Sequence, residues 1–252
     1  MTCKIVHIGN AGILLSTEKT AVMIDGLYVP GLQEGLASPI PLDMFLDLFS
    51  PNGKQKKPDC MIFTHCHKDH YSQDLVSYYL MHHQPACMVL PKDEDRYIKK
   101  SLETAGRYGI RTEVINQSSK TIQTDKNICI TCHKTGHSGK QYVDVPHYCV
   151  EVQLETYRFL FTGDYDFFHD DLLFTQNKAY QGVFINPLAY HNPNGQKMLG
   201  NISKLDHVFI YHIPYGPEDD LKLARMVHRD MQRTNGLVDT IAFDRPGMSI
   251  SI

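Results

Sequence analysis

No apolar run in the 252 residues approaches the roughly 18 that a membrane-crossing helix needs, so the sequence offers no candidate span and no membrane partner is expected. The opening residues, Met-Thr-Cys-Lys-Ile-Val-His-Ile-Gly, lack the charged-then-apolar layout of a secretion leader. Charge of one sign is also scarce. Twenty-five Lys and Arg against 28 Asp and Glu leave −3, which gives no electrostatic reason to expect nucleic acid or an anionic membrane surface as partner. Cysteine is odd in number, seven along a long chain, which argues against a disulfide framework and for a reducing cytoplasm. Cys129-Ile-Thr-Cys132-His133 has the spacing of c-type haem attachment. It lies in a run that reads as strand, and haem attachment would require export that the leader-free start does not support. There is no internal repeat, low-complexity tract or clear linker, so 1–252 is read as a single domain long enough for a sizeable core.

Histidine is what the sequence does have, and residues 60–72 concentrate it. A short apolar run, Met61-Ile-Phe63, reads as a buried strand. It empties into His65-Cys-His67-Lys-Asp69-His70, three imidazoles and a carboxylate within six residues. Zinc, iron and manganese accept these ligands, and tight spacing suits a rigid loop at a strand's end. Alternation along an extended segment turns Cys66 away from its neighbours, though it could still be sensitive to oxidation.

The rest of the chain alternates strands and helices. Three short strands across 3–25 form a meander ending at Asp25, a carboxylate that either caps a turn or serves a site. Residues 27–59 are broken by proline and glycine, with a short helix over 41–49 exposing Leu42, Phe45, Leu46 and Phe49 on one side. This stretch is read as a lid, an oligomer contact or a packed excursion. Lys54, Lys56 and Lys57 form a solvated run or meet an anion. Helices are expected at 72–83, with Ser72 as N-cap, at 92–108 and at 217–233, the last started by Pro217 and striped by Leu221, Ala224, Val227 and Met231. Strands are expected at 86–90, 111–115, 121–122, 128–132, 147–154, 158–161, 182–185, 206–211 and 240–243. Residues 186–195 read as an irregular polar stretch in which Tyr190, His191 and Asn192 line a substrate cleft. Five times a strand ends in a ligand-type residue: Asp25, the His65–His70 cluster, His137, Asp164 and His212. Gathered at one sheet edge, such ends would make one polar cleft.

His65-x-His67-x-Asp69-His70 followed by His137, Asp164 and His212 resembles the metallo-β-lactamase superfamily of binuclear metallohydrolases, over about residues 5–244. Val6-His-Ile-Gly9, Leu14-Leu15 and Met23-Ile-Asp25 further resemble the branch that includes ascorbate-6-phosphate lactonase. The resemblance implies a four-layer αββα sandwich of two mixed β-sheets flanked by helices. It implies one ion on His65, His67 and His137 and a second on Asp69, His70 and His212, with Asp164 bridging and Asp25 orienting a ligand from outside. His67 stands where the family's redox enzymes carry glutamate, which favours hydrolysis. The chemistry expected is a hydroxide shared by two divalent ions, zinc or alternatively manganese or iron, with Asp69 orienting it and passing a proton. The expected substrate is a small molecule with an ester, lactone or phosphoester bond. The alternatives are a phosphodiesterase of cyclic nucleotides or phospholipid-like diesters, and a metal-binding scaffold or sensor without turnover. A homo-oligomer is compatible with all of these.

Overall fold

A computed structural model describes residues 2–29, 37–234 and 238–252. Part of the 27–59 segment, 30–36, therefore lies outside the described residues. The chain divides into two compact units, one taking in Ser38–Asn116 and Arg245–Ile252 with the N-terminal strands, the other Gln117–Asp244. Each carries a mixed seven-stranded sheet with helices on it, as the resemblance implies.

In the first unit, β1 (Lys4–Gly9), β2 (Gly12–Ser16) and β3 (Ala21–Ile24) form the expected antiparallel meander. β4 (Cys60–Ile62), β5 (Cys87–Pro91) and β6 (Arg111–Ile115) continue the sheet in parallel from β3. Parallel pairing puts the ends of β3 and β4 at the same edge, so Asp25 and the His65 loop emerge side by side. Alternate residues Val6, Leu14, Met23, Met61 and Met88 pack with α1 (Leu42–Phe49), α2 (Gln73–His83) and α3 (Asp95–Arg107). Ser72 caps α2 as expected, its hydroxyl accepting from the Leu75 amide at 3.4 Å. Phe49 is not presented outward with Leu42 and Leu46. It packs on the core and stacks on Phe45 at 4.4 Å, with Tyr78 and Tyr79 of α2 around it. In the following lysine run Lys54 is exposed, as a solvated run would have it, while the other two ammonium groups are tied to backbone carbonyls. Lys56 donates to the Thr17 and Glu18 carbonyls, and Lys57 to those of Asp47 and Leu48 at the end of α1, where a cation complements the helix dipole.

The second unit pairs β7 (Ser119–Gln123), β8 (Ile128–Thr135), β9 (His147–Leu154) and β10 (Tyr157–Phe161) antiparallel, then adds β11 (Ala179–Ile185), β12 (Lys204–Ile210) and β13 (Asp239–Ala242) in parallel. Strands β8, β10 and β12 run the same way, so His137, Asp164 and His212 follow at one edge. Three expectations are corrected here. Residues 186–195 are not irregular. They begin α4 (Pro187–His191) and α5 (Pro193–Gly200), each opened by an Asn N-cap and a Pro in the first turn. The last helix, α6 (Leu223–Thr234), starts later than Pro217, because Lys222 takes a left-handed φ of 55° that no helix continues through. Leu221 is accordingly outside its apolar stripe and exposed. A strand that the sequence reading missed, β14 (Ser249–Ser251), closes the first sheet against β1.

Candidate metal centre

Asp25 is the anchor of the first unit's half. It is fully buried, in the left-handed region at φ 47°, and its amide donates to the Ile62 carbonyl. One carboxylate oxygen accepts from the Thr64 amide at 2.9 Å. The other accepts from the Thr64 hydroxyl at 2.7 Å and lies 3.0 Å from His70 Nδ1. Since a carboxylate only accepts, His70 Nδ1 is the protonated nitrogen, and its Nε2 lone pair is left for a ligand. The Thr64 hydroxyl spends its proton on Asp25, so it accepts from His65 Nδ1 at 3.0 Å, and His65 too presents a bare Nε2. One buried carboxylate thus sets the tautomer of two histidines. The loop beyond is tight: the His70 and Tyr71 amides both donate to the His67 carbonyl, and the His65 ring lies 4.7 Å from that of His67 and 4.0 Å from that of His70. Asp69 keeps its side chain 21% exposed and 3.8 Å from His70 Nε2, while Asn10 donates to its backbone carbonyl. Cys66 packs in the apolar core, where burial pushes its thiol well above the ordinary range.

In the second unit His137 Nδ1 donates to the Ser138 carbonyl at 2.7 Å, which again leaves Nε2 bare. That nitrogen lies 3.7 Å from Asp164 Oδ2, and His212 Nε2 lies 3.7 Å from the same oxygen. Such a separation is too long for a hydrogen bond. It is close to the spacing of about 3.3–3.6 Å that bonds of about 2.0–2.2 Å to one tetrahedral ion impose on its ligands. Two imidazoles at ligand-to-ligand distance from one carboxylate oxygen, one of them with its Nδ1 proton fixed on the Ser138 carbonyl, fit divalent metal.

The turn that carries Asp164 is held by residues the sequence reading did not identify. His147 Nε2 accepts from the Asp164 amide at 3.0 Å, with its Nδ1 2.7 Å from the Thr135 hydroxyl. The Tyr211 hydroxyl accepts from the Gly163 amide, and Asn186 donates to the Gly163 carbonyl. His212 follows Tyr211 at φ 60°, in the left-handed region like Asp25. Strained backbone of this kind persists where surrounding contacts over-determine it.

The three residues expected to line a substrate cleft have well-defined surroundings. Tyr190 is buried in the apolar cluster of α4–α6 and the sheet beneath them. His191 Nδ1 lies 2.6 Å from Asp230 of α6, and the Asn192 side chain caps α5 through the Asn194 amide.

No protein-family model matches the chain, and no curated protein matches it. Solved structures do. A metallo hydrolase from the archaeon Ignicoccus hospitalis superposes with a TM-score of 0.63 at 16% identity, over 100% of this chain and 99% of that one. A possible metal-dependent hydrolase from Veillonella parvula gives 0.69 at 13% identity, over the whole of both chains. YhfI from Bacillus subtilis, a metallo-β-lactamase fold protein, gives 0.59 at 15% identity, over 100% and 99%. At these identities the likeness is one of fold, and this chain has the metallo-β-lactamase fold.

Proposed function

We propose that the protein is a binuclear metal-dependent hydrolase of a small molecule carrying an ester, lactone or phosphoester bond. The observation that carries this reading is the donor set. The first unit gathers His65, His67, Asp69 and His70 in one loop, with the His65 ring 4.7 Å from that of His67 and 4.0 Å from that of His70, and the second sets Nε2 of His137 and of His212 each 3.7 Å from Asp164 Oδ2. Such donors would hold two divalent ions, zinc by preference, since imidazoles dominate, while the carboxylates also admit manganese or iron. Two such ions supply a water of lowered pKa and polarise the bond under attack.

The protein's own groups do the rest. Asp25 and Thr64 hold His65 and His70 in the neutral form a metal requires. His147, Tyr211 and Asn186 keep the Asp164 carboxylate from relaxing when negative charge accumulates beside it. Asp69, the partly exposed carboxylate of the loop, is the group able to take a proton from the attacking water and return it to the leaving oxygen. The N-terminal motifs that resemble the lactonase branch put a lactone or sugar-phosphate-like substrate slightly ahead.

The test is to load the purified protein with zinc or manganese, count bound metal, and assay ester, lactone and phosphodiester substrates. Two ions per chain with turnover of an ester or lactone is the expected result, and His137→Ala and His212→Ala should each lose one ion. A fully loaded centre with no turnover on any of these bonds would overturn the reading in favour of a non-catalytic metal-binding scaffold.

A further inference from the structure

Away from the metal ligands, two thiols meet across parallel strands of the first unit. Cys60 opens β4 and Cys87 opens β5, and the register sets them directly opposite each other. Register partners share a face of the sheet, here the one opposite to Met61 and Met88. Neighbouring strands lie about 4.8 Å apart, inside the window of about 4.4–6.8 Å between the Cα atoms of bridged cysteines. The next residue in the same row is Arg111 of β6.

Chemistry distinguishes this pair from the other cysteines. A hydrogen bond from the Cys60 thiol holds the Cys87 thiol below its ordinary pKa against the opposing effect of burial; the Arg111 guanidinium works in the same direction, opposed by its ion-pair partner Glu113. The Cys60 thiol also lies 3.9 Å from the Met61 carbonyl. Cys66, Cys132 and Cys149 go the other way, pushed up by burial, Cys132 to about 12. The thiolate is the reactive form of cysteine, so Cys87 is the one buried sulfur here prepared to react among these four. Both thiols are covered, at 0% and 1% exposure, but they lie just inside the rim where the strands begin: Ala86 beside Cys87 is exposed, and the Arg111 side chain is 47% exposed. A water-sized oxidant suits that position and a bulky one does not.

We infer that Cys60 and Cys87 form a redox-active dithiol that hydrogen peroxide converts into a cross-strand disulfide. The Cys87 thiolate attacks one peroxide oxygen, the O–O bond breaks, and a sulfenic acid forms. The departing hydroxide leaves as water with the proton that the thiol gave up. The Cys60 sulfur then attacks the sulfenic sulfur, the S–S bond forms as the S–O bond breaks, and a second water leaves carrying the Cys60 proton. The two sulfurs together lose two electrons and the peroxide gains them.

The experiment uses the full-length protein. It is treated with equimolar hydrogen peroxide, quenched with catalase, alkylated after denaturation, and mapped by mass spectrometry. The expected result is a fall from seven alkylated cysteines to five and a linked peptide pair containing Cys60 and Cys87. Cys60→Ser should stop the reaction at a Cys87 sulfenic acid that dimedone traps, and Cys129→Ser should leave the disulfide yield unchanged. Seven alkylated cysteines in the treated wild type, a bridge between any other two, or oxidation confined to the partly exposed Cys129 would each overturn the inference without recourse to a variant.

Discussion

Two buried carboxylates carry most of the electrostatic consequence at the scale of single residues. Asp25 holds the protons of His70 and, through Thr64, of His65 in place. Asp25→Asn keeps the size and removes the charge that fixes these tautomers, so metal affinity should fall about 10–100-fold, read by competition with a chromogenic chelator. An unchanged affinity would show that the loop alone orients the histidines. Glu151 is the second case. Burial works to raise its pKa, but the His133 imidazole at 3.3 Å and hydrogen bonds from Lys178 and Tyr180 outweigh this and hold it below the ordinary 4.5. The folded pKa lies below the unfolded one, so the stabilisation is fully present above 4.5 and is lost as pH falls through the folded value. Urea midpoints measured down the acid limb should therefore drop more steeply for wild type than for Glu151→Gln. Parallel curves would remove Glu151 from the acid response.

At the scale of elements, the parallel half of the second sheet depends on close approach. A methyl group at Gly182 of β11 would meet the Phe209 ring of β12 at 2.4 Å and Phe159 of β10 at 3.2 Å. Gly182→Ala should cost about 1–3 kcal/mol through overpacking, seen as a lower melting temperature with the candidate ligand residues themselves unaltered. The first turn of α6 gives a second handle. The Asp219 carboxylate accepts from the Leu223 and Ala224 amides at 2.7 and 3.1 Å, and Asp219→Ala should cost about 1 kcal/mol in chemical denaturation. Helix-start signals also stand at Asn186-Pro187 and Asn192-Pro193, an Asn N-cap followed by Pro in the first turn, where the sequence reading saw an irregular stretch. The polar composition of the stretch hid them, because α4 is only five residues long and shows no apolar period of its own.

For the whole molecule, binding of divalent ions to the folded chain should raise its stability by mass action. At 1,000 times the dissociation constant the gain is about 4 kcal/mol for each site. Stripping metal with a chelator should lower the melting temperature, and restoring zinc should return it. Identical melting curves with and without metal would mean that the ligand clusters bind nothing in the folded protein. No helix among the described residues is long and apolar enough to cross a membrane, which agrees with the lack of such a run in the sequence.

The sequence by itself determined most of the order of strands and helices, though not α4, α5 or β14, and the ligand-type residues at strand ends. Hydrophobic alternation is local, and His65-x-His67-x-Asp69-His70 packs its donors into one loop. Asp25 stood out only as a carboxylate after a strand, with turn cap and site equally open, until its oxygens were found on Thr64 and His70. His147, Tyr211, Asn186 and Thr64 carried no signal at all. Each acts on a partner through a hydrogen bond fixed by sheet register, and His147 reaches Asp164 from a neighbouring strand. The same is true of Cys60 and Cys87, two scattered cysteines in the sequence that parallel pairing alone sets face to face. Long-range register is the product of the whole sheet's packing, and only the tertiary structure decides it.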